Sequence, residues 1–317
     1  MKAKFVCAAI ATLILFITSG FSAAAEVQNT NSVANENELS WDNPGPYPNP
    51  LSGRRDPANP TNHFDFGFMY WYVDYKEDVP PPGKSTEKGW LPGFYLGFDR
   101  NKGSSFYAKI FTEFSFGDDT YDGTTQTGTP ISFSSDNYQF FFRGEINLGY
   151  NFAITPNISI IPYTGYGFRV WNRGQTQIRS IDGMNVMTIK EEYSWHYIPV
   201  GIAADFKISN RFSIEPNAGA RFMFYGKMDV MFSQLDPGFN NPDVKLGNRI
   251  GYYAEIPLRY RFSKNWSVIL KPWYAYDEIG QSDTVDLTYY GQTVGALYEP
   301  PSVTHQYGIN VGLSLSY

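Results

Sequence analysis

Apolar and polar residues alternate with a period of two through most of this 317-residue chain. The closing stretch, YGINVGLSLSY at 307–317, shows the pattern. Tyr307, Ile309, Val311, Leu313, Leu315 and Tyr317 fall on one parity, and Gly308, Asn310, Gly312, Ser314 and Ser316 on the other. Successive side chains of a strand point to opposite faces, so the pattern predicts a strand with one apolar and one polar face. Nine further stretches repeat it, at about 64–75, 92–98, 106–116, 138–150, 158–170, 198–208, 212–224, 250–262 and 266–276. Most exceed the roughly 5–6 residues usual in soluble sheets. They suffice for the roughly 9–11 residues of a tilted membrane-spanning strand.

The connections alternate in length. DRNKG at 99–103, NFAITPN at 151–157, ISN at 208–210 and SKN at 263–265 are short, whereas polar pieces at about 76–90, 117–136, 172–192, 226–248 and 278–304 are long. Four short turns and five long loops are what ten antiparallel strands need when both termini lie on one side. Composition agrees: aromatics make up 18% of the chain, yet mean hydropathy is only −0.34. A transmembrane barrel reconciles the two, because only alternate residues meet lipid and aromatics gather at the two interfaces. The expected fold is all-β, a closed antiparallel up-and-down transmembrane β-barrel over 63–317. It has short periplasmic turns, long extracellular loops and ten strands, with eight or twelve as alternatives because 92–98 is the weakest stretch. A soluble β-sandwich would have shorter strands and no such loop rhythm.

The start of the chain indicates export. Lys2 and Lys4 precede an apolar run from Phe5 to Ile17, and Ala23-Ala24-Ala25 supplies small residues before Glu26. This reads as a signal peptide over 1–25, too short for the roughly 20 residues of a transmembrane helix. Cys7, the only cysteine, would leave with it, so no disulfide or thiol metal site is expected. Loss of two lysines takes 25 basic residues to 23 against 31 acidic ones, moving the net charge from −6 to −8. With no Lys/Arg block, nucleic acid is not an expected partner. Residues 26–62, rich in Asn and Pro, read as a periplasmic lead.

Five prolines (Pro162, Pro199, Pro216, Pro257 and Pro272) sit inside the proposed strands. Each costs a ladder hydrogen bond, and bulges near the inner rim are the expected accommodation. If the apolar parity meets lipid, the other lines the bore. It carries Lys109, Glu113, Arg143, Glu145, Arg169, Glu215, Arg221, Glu255, Arg259 and Lys271, together with Asp205, Lys207 and Arg261. Charges in a narrow interior must be paired or wet. They read either as a salt-bridge network that plugs the bore or as the lining of a pore for small solutes. Glycines at 149, 165, 167, 201, 219, 251, 308 and 312 share the inward parity and leave room for large neighbours. Strand-end aromatics fit two girdles: Tyr150, Phe212, Trp266 and Tyr317 inside, and Tyr70, Tyr72, Trp171, Trp195, Tyr274 and Tyr276 outside.

The leader, alternating strands, loop rhythm and C-terminal aromatic resemble those of a Gram-negative outer-membrane β-barrel protein, over roughly 64–317. The resemblance implies outer-membrane localisation, contact with outer-membrane lipid and lipopolysaccharide, and Tyr317 as part of the signal read by the barrel-assembly machinery. A ten-stranded barrel also resembles the omptin proteases, which implies an Asp-x-His dyad. His63, His196 and His305 each lack Asp two residues earlier. Ser194 and His196 echo the Ser–His pair of lipid A deacylases in reverse order. Asp118-Asp119 and Asp236/Asp243 are acidic loop tips that read as solvated charge in preference to a Ca²⁺ site.

The expectation is a monomeric, non-enzymatic, cofactor-free barrel. A narrow passive pore is the first reading, a plugged structural or surface barrel the second, and a barrel protease or lipid A hydrolase the third. Deleting Tyr317 is expected to lower the yield of assembled barrel in cells more than it changes unfolding of the purified, refolded protein. Equal effects on both would remove the assembly role.

Overall fold

The computed structural model describes residues 62–101, 104–125, 131–181 and 183–317. The leader at 1–25 and the lead at 26–62, apart from Asn62, lie outside them. Seventeen strands follow in order: β1 (Asn62–Glu77), β2 (Ser85–Arg100), β3 (Ser105–Thr124), β4 (Ser132–Thr155), β5 (Ile158–Arg173), β6 (Gln177–Ile181), β7 (Met184–Thr188), β8 (Glu191–Lys207), β9 (Phe212–Ile214), β10 (Asn217–Val230), β11 (Asp243–Lys245), β12 (Ile250–Glu255), β13 (Leu258–Arg261), β14 (Trp266–Ile279), β15 (Val285–Tyr289), β16 (Gln292–Leu297) and β17 (Ser302–Ser316).

Ten walls form one antiparallel ring. β1 to β5 pair in sequence, β5 pairs with β8, and β8 pairs with the β9–β10 wall. That wall pairs with the β12–β13 wall, which pairs with β14. β17 then lies between β14 and β1. Its register on β1 runs from His63 opposite Ser316 to Glu77 opposite Ser302. The last residue joins in, with Tyr317 N donating to Asn62 O at 3.1 Å. The ring thus has ten strands and no open edge, as a sheet in lipid requires.

The prolines act on the ladder more than on the strand count. Pro216 separates β9 from β10, and Pro257 separates β12 from β13. The two interruptions lie side by side, because Asn217 pairs with Glu255 just above them and Ile214 with Leu258 just below. Carbonyls bridge the gap: Glu215 N donates to Pro257 O and Ile256 N to Pro272 O. Pro162, Pro199 and Pro272 stay inside β5, β8 and β14. The bulges expected at the prolines lie elsewhere in the wall, at 153–155 and 223–225.

The long connections are shorter than the sequence suggests, because the walls continue into them. β1 runs to Glu77 and β2 begins at Ser85; β3 reaches Thr124 and β4 starts at Ser132. Two of the loops fold into hairpins of their own, β6–β7 and β15–β16. This extension changes what the two faces carry. Nearer the termini the outward face is apolar, as at Phe68, Leu96, Ile146 and Val311, and the inward face is charged. Nearer the loops the outward face carries Asp74, Lys76, Lys88 and Asp118, and the inward face carries Val73, Tyr75, Leu91 and Trp171. The main hydrophobic core therefore sits inside the loop half of the bore. Trp171 and Trp195, expected in the outer girdle, belong to that core and are buried. Their odd-numbered positions on β5 and β8 turn them inward with Arg169 and Tyr193. The outward girdle residues behave as expected: Tyr70 stacks on Trp90 with ring centroids 5.0 Å apart, and Tyr72 lies 5.2 Å from Tyr307.

Glycines make the inner wall thin where tyrosines lie against it. Gly67 on β1 faces Gly312 on β17, and Tyr95 from β2 crosses both. A Cβ at Gly312 would collide with the Phe66 carbonyl oxygen and the Tyr95 hydroxyl. Gly201 and Gly219 likewise pair beneath the hydroxyls of Tyr163 and Tyr253. Gly312→Ala is expected to cost about 1–3 kcal/mol through overpacking, read as a lower urea midpoint of the refolded barrel. An unchanged midpoint would mean that Tyr95 can move aside.

Candidate functional site: the charged bore

Even-numbered residues of β3 and β4 face outward and odd-numbered ones inward, and each wall keeps its phase within the membrane-facing half. That places all ten lining residues named from the sequence inside the bore. Three tiers of ion pairs result. Nearest the termini, Arg259 forks between Asp65 and Glu215, with Nε 2.8 Å from Glu215 Oε1 and Nη1 3.2 Å from Asp65 Oδ1. In the next tier Arg143 bonds Glu113, and Lys271 lies 3.5 Å from both Glu113 and Glu255. Lys109 reaches Glu255 from the other side at 3.4 Å. In the third tier Arg169 donates to Asp277 at 2.5 Å, with Arg221 3.5 Å from the same carboxylate and 4.0 Å from Glu145. Glu145 also accepts from Asn147 and from the Tyr197 hydroxyl, each at 2.8 Å. Buried ions of this kind are tolerated only when paired and hydrogen-bonded, and these are.

Above these tiers the bore turns aromatic. Phe141 stacks on Trp171 at 5.0 Å, Trp171 stacks on Tyr193 at 5.1 Å, and Trp71 meets Phe141 edge-on at 4.9 Å. Arg169 joins the layers, with its guanidinium 5.0 Å from the Trp195 ring and 5.4 Å from Phe141. Gln139 spans the stack, accepting from Trp171 Nε1 at 2.5 Å and donating to Glu87 at 2.8 Å. Beyond the stack lies a fourth polar tier that the sequence reading missed. Arg173 contacts Glu77 at 2.7 Å, Glu87 at 2.8 Å and Glu191 at 2.9 Å. Glu77, Glu87, Arg173 and Glu191 stand in stretches assigned to loops from sequence, because there the apolar parity had already switched faces.

Two cavities open within this packing. One lies against Trp71, Arg143, Arg169 and Trp273. The other lies against Tyr197, Arg221, Met223 and Asp277. Buried polar atoms without a protein partner face the first region, among them Trp71 Nε1, Ser115 Oγ and Arg143 Nε. Polar cavities of this kind suit ordered water.

The remaining sequence candidates fall apart in space. His196 faces outward and bonds the Tyr166 hydroxyl at 2.5 Å; His305 bonds that of Tyr274 at 2.8 Å. His63 bonds Ser316 at 2.9 Å at the terminal end. Asp119 turns inward to Gln139. Asp236 caps Gly238 N at 2.7 Å, and Asp243 lies 3.8 Å from Lys227. Among the described residues no His, Asp and Glu group could hold a metal ion.

With the geometry in view, comparisons locate the chain among known proteins. A family profile described as "Autotransporter beta-domain" matches residues 57–271. Among solved structures, the outer membrane protease OmpT from Escherichia coli superposes with a TM-score of 0.55 at 8% identity, covering 83% of this chain and 98% of that one. The translocator domain of the autotransporter NalP from Neisseria meningitidis gives 0.40 at 10% identity, over 82% and 90%. The outer membrane protein OprG from Pseudomonas aeruginosa gives 0.38 at 9%, over 81% and 96%. No curated protein matches.

Arg259→Met is expected to destabilise the barrel by about 3–5 kcal/mol, because two carboxylates lose their common cation in a buried site. The Lys84–Asp122 pair is about half exposed, so Lys84→Met is expected to cost less than about 1 kcal/mol. Urea unfolding of both refolded variants, followed by tryptophan fluorescence, checks the contrast. Equal costs would mean that water reaches the Arg259 tier.

Proposed function

Because this chain belongs to the autotransporter β-domain family of the Gram-negative outer membrane, we propose that it works as a sealed barrel. Its rigid wall carries the extracellular loops, and its bore does not conduct. The observation that carries this reading is the hydrophobic core inside the loop half of the bore. Eight of the seventeen strands contribute to it, through residues such as Trp71 (β1), Leu91 (β2), Phe141 (β4), Trp171 (β5), Trp195 (β8), Met228 (β10), Val244 (β11) and Ile279 (β14). A solute pore would have to pass this core and then three tiers of bonded ion pairs. Passage of a polypeptide would have to displace both.

The same reading covers the partners. Outer-membrane lipid and lipopolysaccharide surround the apolar wall, and the barrel-assembly machinery acts during biogenesis. Ring closure leaves no edge in the lipid layer for a second copy, which favours a monomer. A non-enzymatic role fits the histidines, which bond tyrosine or serine hydroxyls at three separate places.

Refolded protein in planar bilayers is expected to show no stable single-channel openings. The double variant Trp71→Ala/Trp171→Ala removes the centre of the aromatic layer and is expected to produce them. Stable openings from the unaltered barrel would overturn the sealed reading.

A further inference from the structure

Four carboxylates and one arginine meet at the loop end of the bore. Three of the acids, Glu77, Glu87 and Glu191, come from the walls and face Arg173. The fourth, Glu299, comes from the connection between β16 and β17. Its backbone is held at the mouth: Glu299 N donates to Ser282 Oγ at 2.8 Å, and Glu299 O accepts from Ser282 N at 3.0 Å. Two residues on, Pro301 O accepts from Asp78 N at 2.7 Å. The side chain turns down into the bore and is 3% exposed. Its Oε1 lies 2.8 Å from Tyr193 Oη and 3.1 Å from Tyr75 Oη.

Hydrogens are scarce around this group. Tyr75 Oη is within bonding distance of both Glu77, at 2.9 Å, and Glu299. Tyr193 Oη is within bonding distance of both Glu191, at 3.0 Å, and Glu299. Two hydroxyl hydrogens therefore face four carboxylate contacts. Arg173 Nη1 approaches both tyrosine oxygens, at 3.4 and 3.3 Å, as a donor, and supplies nothing to Glu299. If both hydroxyls turn to an ionised Glu299, it stays a charge without a cation, out of water and beside two other carboxylates, which then face the tyrosine lone pairs. One hydrogen on Glu299 relieves this. It donates to Tyr193, whose own hydrogen turns to Glu191, while the single Tyr75 hydrogen is shared between Glu77 and Glu299. The Arg173 guanidinium faces Glu77 and Glu191 directly, whereas it makes no contact with Glu299. Asp119 and Tyr121 from β3 are further titratable groups at this end, and burial beside Glu87 pushes the Asp119 carboxyl up to about 8.

We propose that Glu299, as a neutral carboxylic acid, is a proton-dependent latch that holds the loop carrying β15 and β16 against the mouth of the barrel. The latch depends on the loop-end geometry and stands whether or not the bore conducts. Burial, with Glu77 and Glu191 adding to it, pushes the Glu299 carboxyl well above the usual carboxylate range. A group whose pKa is raised by closure favours closure at low pH and withdraws that support as pH rises through the raised value. The loop is therefore held near neutrality and released in alkali.

Cys7 is the chain's single cysteine, so in protein refolded without residues 1–25 a single nitroxide on Thr293→Cys in β16 can report the loop. A second label, on Lys264→Cys in the turn after β13, reports the barrel itself. The mobile fraction at position 293 is expected to rise about tenfold between about pH 6 and about pH 10, with position 264 unchanged. Glu299→Gln, which keeps both a donor and an acceptor, is expected to hold the loop throughout. Glu299→Ala is expected to free it throughout. A pH-independent signal at 293, a parallel change at 264, or a Glu299→Gln barrel that still releases in alkali would each overturn the latch.

Discussion

Every backbone N–H and C=O in the lipid layer has to find its partner within the protein, and β17 is where that requirement is met last. It pairs with β14 on one side and β1 on the other over nearly its whole length. Once the sheet closes, each wall has one face to lipid and one to the bore, and side-chain chemistry must follow the pleat. Apolar residues take the lipid face. Polar residues are left with a narrow interior in which they must satisfy one another. The ion-pair tiers are a consequence of closure, and so is their balance. In the three tiers of the membrane half, six cations pair with six anions.

The walls outlast the lipid layer, and beyond it the same pleat serves a different solvent. The outward face now meets water and becomes polar. The inward face no longer has to hold the leftover charge, so it can pack as the core of a soluble protein does. Tyr75, Trp171 and Tyr193, all fully or almost fully buried, stand one or two turns of the pleat beyond Arg169 and Val73. The barrel thus contains two interiors of opposite character, one ionic and one aromatic, joined where Arg169 touches Phe141 and Trp195. A guanidinium suits that junction, since it can bond Asp277 in its plane and offer its face to rings.

This phase change explains what the sequence could and could not reveal. Alternation with an apolar outward parity identified the closed barrel, its ten walls and the inward placement of Lys109, Glu113, Arg143 and their companions. Lipid enforces a single rule on that face. Past the girdle the rule inverts. Lys76 read as the start of a loop, although it is an outward residue of a continuing strand, and Glu77 was lost with it. The same inversion sent Trp171 and Trp195 to the girdle, since a tryptophan at a strand end looks interfacial until its parity is checked. Glu299 left no periodic signal at all. It lies in a Pro-flanked connection, and only the fold brings it to Tyr75 and Tyr193 from more than a hundred residues away.

The loop-end tier differs from the others in its charge count, and that difference follows from its position. Inside the membrane half an unmatched carboxylate would have neither water nor a cation, and each carboxylate of the three tiers has a cation beside it. At the mouth the walls supply one buried arginine, and it contacts three wall carboxylates. A further acid brought in by a loop finds no charge to meet. The proposed latch accommodates it as a neutral group, bonded through hydroxyls and not through ions. The attachment of that loop then depends on a proton, while the wall beneath it depends on fixed ion pairs. The two can respond to pH independently, which allows a surface loop to change state on a barrel that does not.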